Sequence, residues 1–242
     1  VLARNISEQL PIASITKLLT AMTVIDEMKL ARVIKVPADI RKVPRHRVGI
    51  RPGDHLSVKD LLHGMLIESG NDCAEALARA YAKGGHSGFV RAMNRKAALI
   101  GASKTLVYTP SGLDKRITLG MKNGRKLRTK KPNIATASDV AIIARHAFRY
   151  PLIRKISSMK RYTMRTRGGK KRVYALRSND RLLDRPLPLA GAKTGYTNQA
   201  GRCIVALFKD EKKAKNYVVV VLNTRRHFKA AEKIYHWACK TF

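Results

Sequence analysis

The chain has 242 residues and 27.0 kDa, with 45% hydrophobic and 27% charged residues, a globular composition long enough to bury a core without disulfides or a structural metal. Fifty Lys and Arg against sixteen Asp and Glu leave a net charge of +34, which predicts attraction to polyanions and says nothing about fold. The longest apolar run, Tyr217 to Leu222, is far short of the ~20 residues that span a bilayer, the three cysteines form no CxxC pair, and neither GxxxxGK[ST] nor HExxH occurs.

Val1 to Arg4 reads as a short strand, and a start in mid-pattern without an apolar h-region reads as a mature or trimmed product with no signal peptide. From Ser14, residues Ile15, Leu18, Leu19, Met22 and Ile25 recur at helical spacing. Ser57 is the expected N-cap of a helix carrying Leu61, Leu62, Met65 and Leu66. Asp72 to Ala82 reads as a helix. Ser87 and Ser138 are expected to cap two more, the first ended by Gly101 and the second stopped before Pro151. Ala190 to Thr197, Arg202 to Phe208 and Tyr217 to Asn223 read as strands of an antiparallel meander, and Phe228 to Ala238 as a last amphipathic helix. The expectation is an α/β (α+β) fold in one domain over 1–242. Its antiparallel sheet is drawn from 1–13 and about 185–242, and its mainly helical lobe from about 14–160. Three stretches are basic without an acidic residue: Arg41 to Arg51 with five Lys and Arg, Lys115 to Lys131 with eight, and Arg154 to Arg172 with nine. They read as loops.

Three short motifs follow in order: Ser14-Ile15-Thr16-Lys17 (SxxK), Ser69-Gly70-Asn71 (SxN) and Lys193-Thr194-Gly195 (KTG). A second SxxK, Ser157 to Lys160, follows the SxN and opens no helix, so it is set aside. On a helix Ser14 and Lys17 share one face. A serine hydroxyl needs a base. Lys17 serves only when neutral, so its pKa must fall several units from ~10.4. Burial and a second cation, Lys193, act in that direction.

The flanks extend the pattern. Ala13 to Ala21, Leu61-Leu62 with Ser69 to Asp72, Thr109 to Leu113, and Lys193 to Thr197 with Ala200 to Cys203 resemble the D-alanyl-D-alanine carboxypeptidase/endopeptidase family, the low-molecular-mass penicillin-binding proteins. The resemblance implies a serine β-lactamase/penicillin-binding-protein-like fold, with a five-stranded sheet whose first strand would lie upstream of Val1. It implies Ser14 as nucleophile, Lys17 as base, and Ser69 and Asn71 in the proton path. Lys193 would supply a positive field, and Thr194, Gly195 and Tyr196 would bind substrate. The backbone N–H groups of Ser14 and Tyr196 would form the oxyanion hole. Gly191, Ala192 and Gly195 are expected to leave room for an extended substrate.

The implied partners are peptidoglycan stem peptides and β-lactams. An anionic wall polymer or membrane surface is expected at the basic loops, with no specific nucleic acid, no cofactor and no metal. The implied location is extracytoplasmic. Two departures stand out. Ser111 occupies the place of a His found in many carboxypeptidases, and His227 falls where the family often has Arg, with Arg225 and Arg226 adjacent. A β-lactamase would need a Glu four residues before an Asn, and none of the six Glu has one, so a long-lived acyl-enzyme is expected. A non-catalytic polyanion-binding wall protein would explain the charge but not the ordered motifs.

Overall fold

A polar amino-terminal stretch runs over the surface to β1 (Leu10–Pro11), and a 3₁₀ turn at Ala13–Ile15 leads into α1 (Thr16–Glu27). The computed structural model describes residues 2–44, 46–122, 125–210 and 213–242. Val1, which opens the expected first strand, Arg45 of the first basic stretch, Asn123 and Gly124 of the second, and Glu211 and Lys212 of the last turn lie outside them. Next come β2 (Val33–Lys35), β3 (His55–Ser57), α2 (Val58–Ile67), α3 (Asn71–Arg79) and α4 (Gly85–Leu99). A hairpin of β4 (Lys115–Lys122) and β5 (Arg125–Lys131) precedes β6 (Ile134–Ala135), α5 (Ala137–Ala147) and α6 (Pro151–Ser157). A second hairpin, β7 (Arg161–Arg165) and β8 (Val173–Arg177), leads to β9 (Leu189–Thr197), β10 (Gly201–Asp210), β11 (Lys215–Thr224) and α7 (His227–Thr241).

The last three strands form one antiparallel sheet in the order β11-β10-β9, with Val205 opposite both Val220 and Lys193. β10 alternates between two cores. Cys203, Val205 and Leu207 join the main cluster with the helical lobe, while Ile204, Ala206 and Phe208 meet Ala231 and Tyr235 of α7. Phe208 stacks on Tyr235 at 4.4 Å, and burying a side chain of that size contributes about 1.5–3 kcal/mol. α5 and α6 cover the other face of the sheet. At the centre of the lobe, Thr16 to Val24 of α1 are all buried, so this helix has no solvent face over its first nine residues. Ser57 caps α2, accepting a hydrogen bond from the Asp60 N–H.

Several expectations are corrected. The chain ends do not share one sheet: residues 2–4 form no strand, and Leu10–Pro11 pairs instead with Ile134–Ala135. Pro11 itself offers no N–H to that ladder, and Ile12 N–H donates to the Asn133 carbonyl at 3.0 Å just beyond it. The sheet among the described residues has three strands, against the four that the implied five-stranded sheet places in this chain. Thr136, not Ser138, caps α5, accepting from the Asp139 N–H. α4 begins after Gly84 in the left-handed region (φ 94°), ahead of Ser87. α5 ends at Ala147, before Pro151 as expected, and Pro151 itself opens α6 at a first-turn position where a missing N–H costs little. The Lys115 to Lys131 segment is a hairpin, not a loop, and much of the third basic stretch belongs to the β7–β8 hairpin. In β4 and β5 adjacent cations, at 115–116, 125–126 and 130–131, put charge on both faces and hide the strand pattern.

Candidate active site

Ser14 lies in the 3₁₀ turn before α1, one residue after Ala13, whose φ of 45° is in the left-handed region. Ser69 has φ 61° at the break between α2 and α3. Non-glycine residues there carry on the order of 1–3 kcal/mol of strain each and cluster at functional sites. The two strained joints bring the SxxK and SxN motifs together. Gly112 clamps the first: a Cβ on it would lie 2.1 Å from the Ala13 carbonyl oxygen.

Lys17 is the centre of the cluster. Its Nζ lies 2.8 Å from Ser14 Oγ, 2.8 Å from Asn71 Oδ1 and 2.6 Å from the Ser111 carbonyl oxygen. A neutral amine has two N–H donors and one lone pair. Asn71 Oδ1 and the Ser111 carbonyl can only accept, so they take the two donors. The lone pair is left facing Ser14 Oγ, the geometry of a base set to accept that hydroxyl proton. The pKa of Lys17 is held well below the ordinary lysine value, first by burial and then by Lys193, against the opposing charges of Glu75, Cys73 and Asp72.

Lys193 reaches in from β9. It is 2% exposed and donates to Ser69 Oγ at 3.0 Å and to the Thr194 carbonyl at 2.9 Å. Burial lowers its pKa to about 8, with Asp180 opposing. Ser69 thus sits between the two motifs in space as well as in sequence. The structure gathers Ser14, Lys17, Ser69, Asn71 and Lys193 into one constellation, and a cleft of about 550 Å³ opens beside it, lined by Ser14, Ser69, Thr194, Gly195 and Tyr196. β9 is the edge strand of the sheet on this side. Thr194 Oγ1 donates to Asn179 Oδ1 at 3.1 Å.

The glycines do something other than expected. A Cβ on Gly195 would lie 3.1 Å from the Ile12 oxygen and the Ser14 nitrogen, and one on Gly191 would lie 2.6 Å from Ser157 Oγ. They let the turn and α6 approach β9 rather than making room for substrate. Ser157 itself donates to the Ile153 carbonyl at 2.7 Å, and Lys160 pairs with Asp184 at 3.0 Å, so the second SxxK is structural. Arg225, Arg226 and His227 all reach the cleft, as do Arg181 and Arg202. The Arg202 guanidinium lies 5.6 Å from the Tyr196 ring centre. This end of the cleft is suited to carboxylates.

Sequence reading missed a supporting layer. Asp72 Oδ2 accepts from the N–H groups of Gly49 (2.8 Å) and Ile50 (3.2 Å), and Oδ1 from Val48 (3.1 Å). It pins the 48–50 loop to the start of α3. Glu75 Oε1 accepts from Ser111 Oγ at 3.1 Å, and Oε2 lies 3.1 Å from His86 Nε2. Asn133 Oδ1 accepts from the N–H groups of Tyr108 (2.7 Å) and Thr109 (3.2 Å), and its Nδ2 donates to Thr16 Oγ1 at 3.1 Å. The available signal was position: Asp72 and Glu75 lie one and four residues past Asn71 on a short helix.

The sequence pattern of the D-alanyl-D-alanine carboxypeptidase family, peptidase family S11, matches residues 1–226. The chain belongs to that family. It is 30% identical over 239 residues to a D-alanyl-D-alanine endopeptidase of Pseudomonas aeruginosa, covering 97% of this chain and 71% of that protein. Over 195 residues it is 33% identical to a D-alanyl-D-alanine carboxypeptidase of Mycobacterium tuberculosis, covering 81% of this chain and 61% of the relative. The crystal structure of a D-alanyl-D-alanine carboxypeptidase from M. tuberculosis H37Rv superposes with a TM-score of 0.84 at 28% identity, over 100% of this chain and 86% of that one. The penicillin-binding-protein-like fold expected from the motifs is the fold observed.

Proposed function

We propose that this family member is a serine D-Ala-D-Ala carboxypeptidase or D,D-endopeptidase acting on peptidoglycan stem peptides through an acyl-enzyme on Ser14. The observation that carries the reading is the buried contact of Lys17 Nζ with Ser14 Oγ at 2.8 Å, with Asn71 and the Ser111 carbonyl holding the same amine. Ser14 Oγ attacks the D-alanyl carbonyl as its proton passes to Lys17. The oxyanion is received by the backbone N–H groups of Ser14 and Tyr196, donors of a kind that contribute the largest share of acyl-transfer stabilisation. The proton then reaches the leaving amine through Ser69, beside cationic Lys193. The peptide C–N bond breaks, an ester forms on Ser14, and water returns the free enzyme. Thr194 and the arginine end of the cleft take the terminal carboxylate of the substrate.

A β-lactam presents an amide carbonyl with a nearby carboxylate, so it enters the same site and leaves a long-lived ester. Fluorescent penicillin followed by intact-mass analysis and peptide mapping tests this. One adduct on Ser14 is expected; an adduct on Ser157, or none, overturns the assignment. Peptidoglycan lies outside the cytoplasm, so the reading places the protein there. The acid-free basic stretches are read as contacts with an anionic surface of the cell envelope.

A further inference from the structure

The two basic hairpins differ in what holds them. β7–β8 is tied to the body: Tyr162 Oη donates to Asp60 at 2.9 Å, Arg172 to Asp54 at 2.5 Å, and Tyr174 Oη to the same Asp54. Among the described side chains of β4–β5 none forms a salt bridge, and the carboxylate that feels the hairpin is Asp114, whose pKa burial raises and Lys130 pulls down. At its root, Lys131 lies over the Tyr108 ring at 5.8 Å, and Ile117 and Thr129 are half-buried. Beyond that the hairpin is exposed.

Its exposed part is not simply basic. Leu119 is 62% exposed, Met121 64% and Leu127 50%. The register puts Gly120 opposite Leu127 and Met121 opposite Lys126, with an irregularity at Leu119 between Thr118 and Gly120. The three apolar residues therefore sit in a band at one level of the hairpin, Met121 on the face of Lys126 and Leu127 on the opposite face. Cations lie on either side of that band: Lys115, Arg116, Lys130 and Lys131 towards the root, and Arg125 at the start of β5, with Arg128 beside the band itself.

A hydrophilic polyanion uses only the cations, and leaves three large apolar side chains in water. A second copy of this hairpin would bring eight like charges against eight with no acidic residue between them. A bilayer with anionic headgroups uses both sets at once. The cations meet the lipid phosphates, and the apolar band enters the boundary between headgroups and acyl chains, as surface-lying amphipathic segments do. Long Lys and Arg stems reach back from that depth to the headgroups. Among the described residues no helix is long and apolar enough to cross a membrane.

We propose that the β4–β5 hairpin is an interfacial membrane-binding element that docks the enzyme on an anionic lipid surface through Leu119, Met121 and Leu127 within a frame of Lys and Arg. This narrows the anionic-surface reading above and rests on it.

The test compares co-sedimentation of the intact chain with three probes: vesicles of phosphatidylglycerol in phosphatidylcholine, vesicles of phosphatidylcholine alone, and immobilised poly(glycerol phosphate). The wild type should bind the anionic vesicles and not the neutral ones. In the variant Leu119→Ser/Met121→Ser/Leu127→Ser no apolar band remains to enter the acyl boundary. It should bind anionic vesicles roughly tenfold more weakly and poly(glycerol phosphate) as before. The variant Arg116→Gln/Arg128→Gln/Lys130→Gln should weaken both. If the serine variant binds vesicles as tightly as the wild type, cations alone carry the binding and the proposal is wrong. Binding to the polymer but not to vesicles overturns it while sparing the anionic-surface reading; binding to neither overturns both. Penicillin labelling of Ser14 in each variant confirms the fold and reports on the peptidase reading separately.

Discussion

Lys17 and Lys193 on one side, and the lysines of the β4–β5 hairpin on the other, are the same side chain in opposite surroundings. The first two are among the most deeply buried large side chains in the chain, at 0% and 2% exposure, and each is held by hydrogen bonds within a few ångströms. Lys115, Lys130 and Lys131 stand in solvent at the surface. A buried ammonium is unfavourable, so burial draws the Lys17 pKa down and suits it to the proposed role of base. An exposed ammonium keeps its hydration and its charge, and serves for attraction. A charge of +34 therefore conceals two separate uses of lysine, and only burial distinguishes them.

Breaking the buried half has the largest expected effect. Lys17→Ala should slow acylation by penicillin by about 10²–10⁴-fold, the range supplied by a positioned base, while circular dichroism shows the fold intact. Next comes Lys193→Met, which keeps the shape and removes the charge. Turnover should fall, by less than in Lys17→Ala, yet stability should not fall. With a folded pKa near 8 against ~10.4 unfolded, the folded protein binds fewer protons between those values, so this lysine makes stability rise with pH across that window and carries its full penalty below it. Urea unfolding of the variant should show a shallower rise between pH 8 and 10.4 than the wild type, by up to about 3 kcal/mol in total. An unchanged slope would mean that Lys193 is not perturbed.

The pair also shapes activity. Acylation should rise with pH as Lys17 loses its proton, at a pH well below that of a free lysine, and fall near pH 8 as Lys193 loses its own. A rate still climbing above ~pH 10 would show that Lys17 is an ordinary lysine. Glu75→Gln sharpens this. Glu75 raises the Lys17 pKa, so its neutral replacement should move the rising limb to lower pH, with Lys193, Asp72 and Cys73 still facing the amine. Gln still accepts from Ser111. A purely structural role would lower the rate and leave the limb in place. The smallest effect belongs to the exposed half: Arg116→Gln/Arg128→Gln/Lys130→Gln should change urea stability by no more than about 0.5 kcal/mol and leave turnover of a small soluble peptide unchanged. If turnover collapses, the hairpin belongs to the active site.

What could be read from the residues follows the same division. α1, α2 and the terminal meander were legible because apolar spacing reports burial directly, and the SxxK, SxN and KTG motifs because acyl transfer to serine needs those side chains in contact. The β4–β5 hairpin was not legible because adjacent cations give no contrast between its faces, and β7–β8 because its alternation runs for only five residues in each strand. The caps of α4 and α5 slipped by two or three residues: Gly84 adopts a left-handed turn that no side chain announces, and Thr136 competes with a serine two residues on. The supporting roles of Asp72, Glu75 and Asn133 depend on loops that arrive from far along the chain, and no local pattern encodes an arrival.

α3 carries Asn71, Asp72 and Glu75 within five consecutive residues, and they hold the amine of Lys17, the 48–50 loop and the turn at Ser111. One short helix is thus the jig for three separate parts of the proposed catalytic apparatus. Such a part cannot loosen by degrees: fraying at its first turn would release all three together, and the enzyme would pass from working to idle in one step. On heating, loss of penicillin labelling and loss of helical signal should then trace a single curve, with no window in which a folded but inactive protein accumulates.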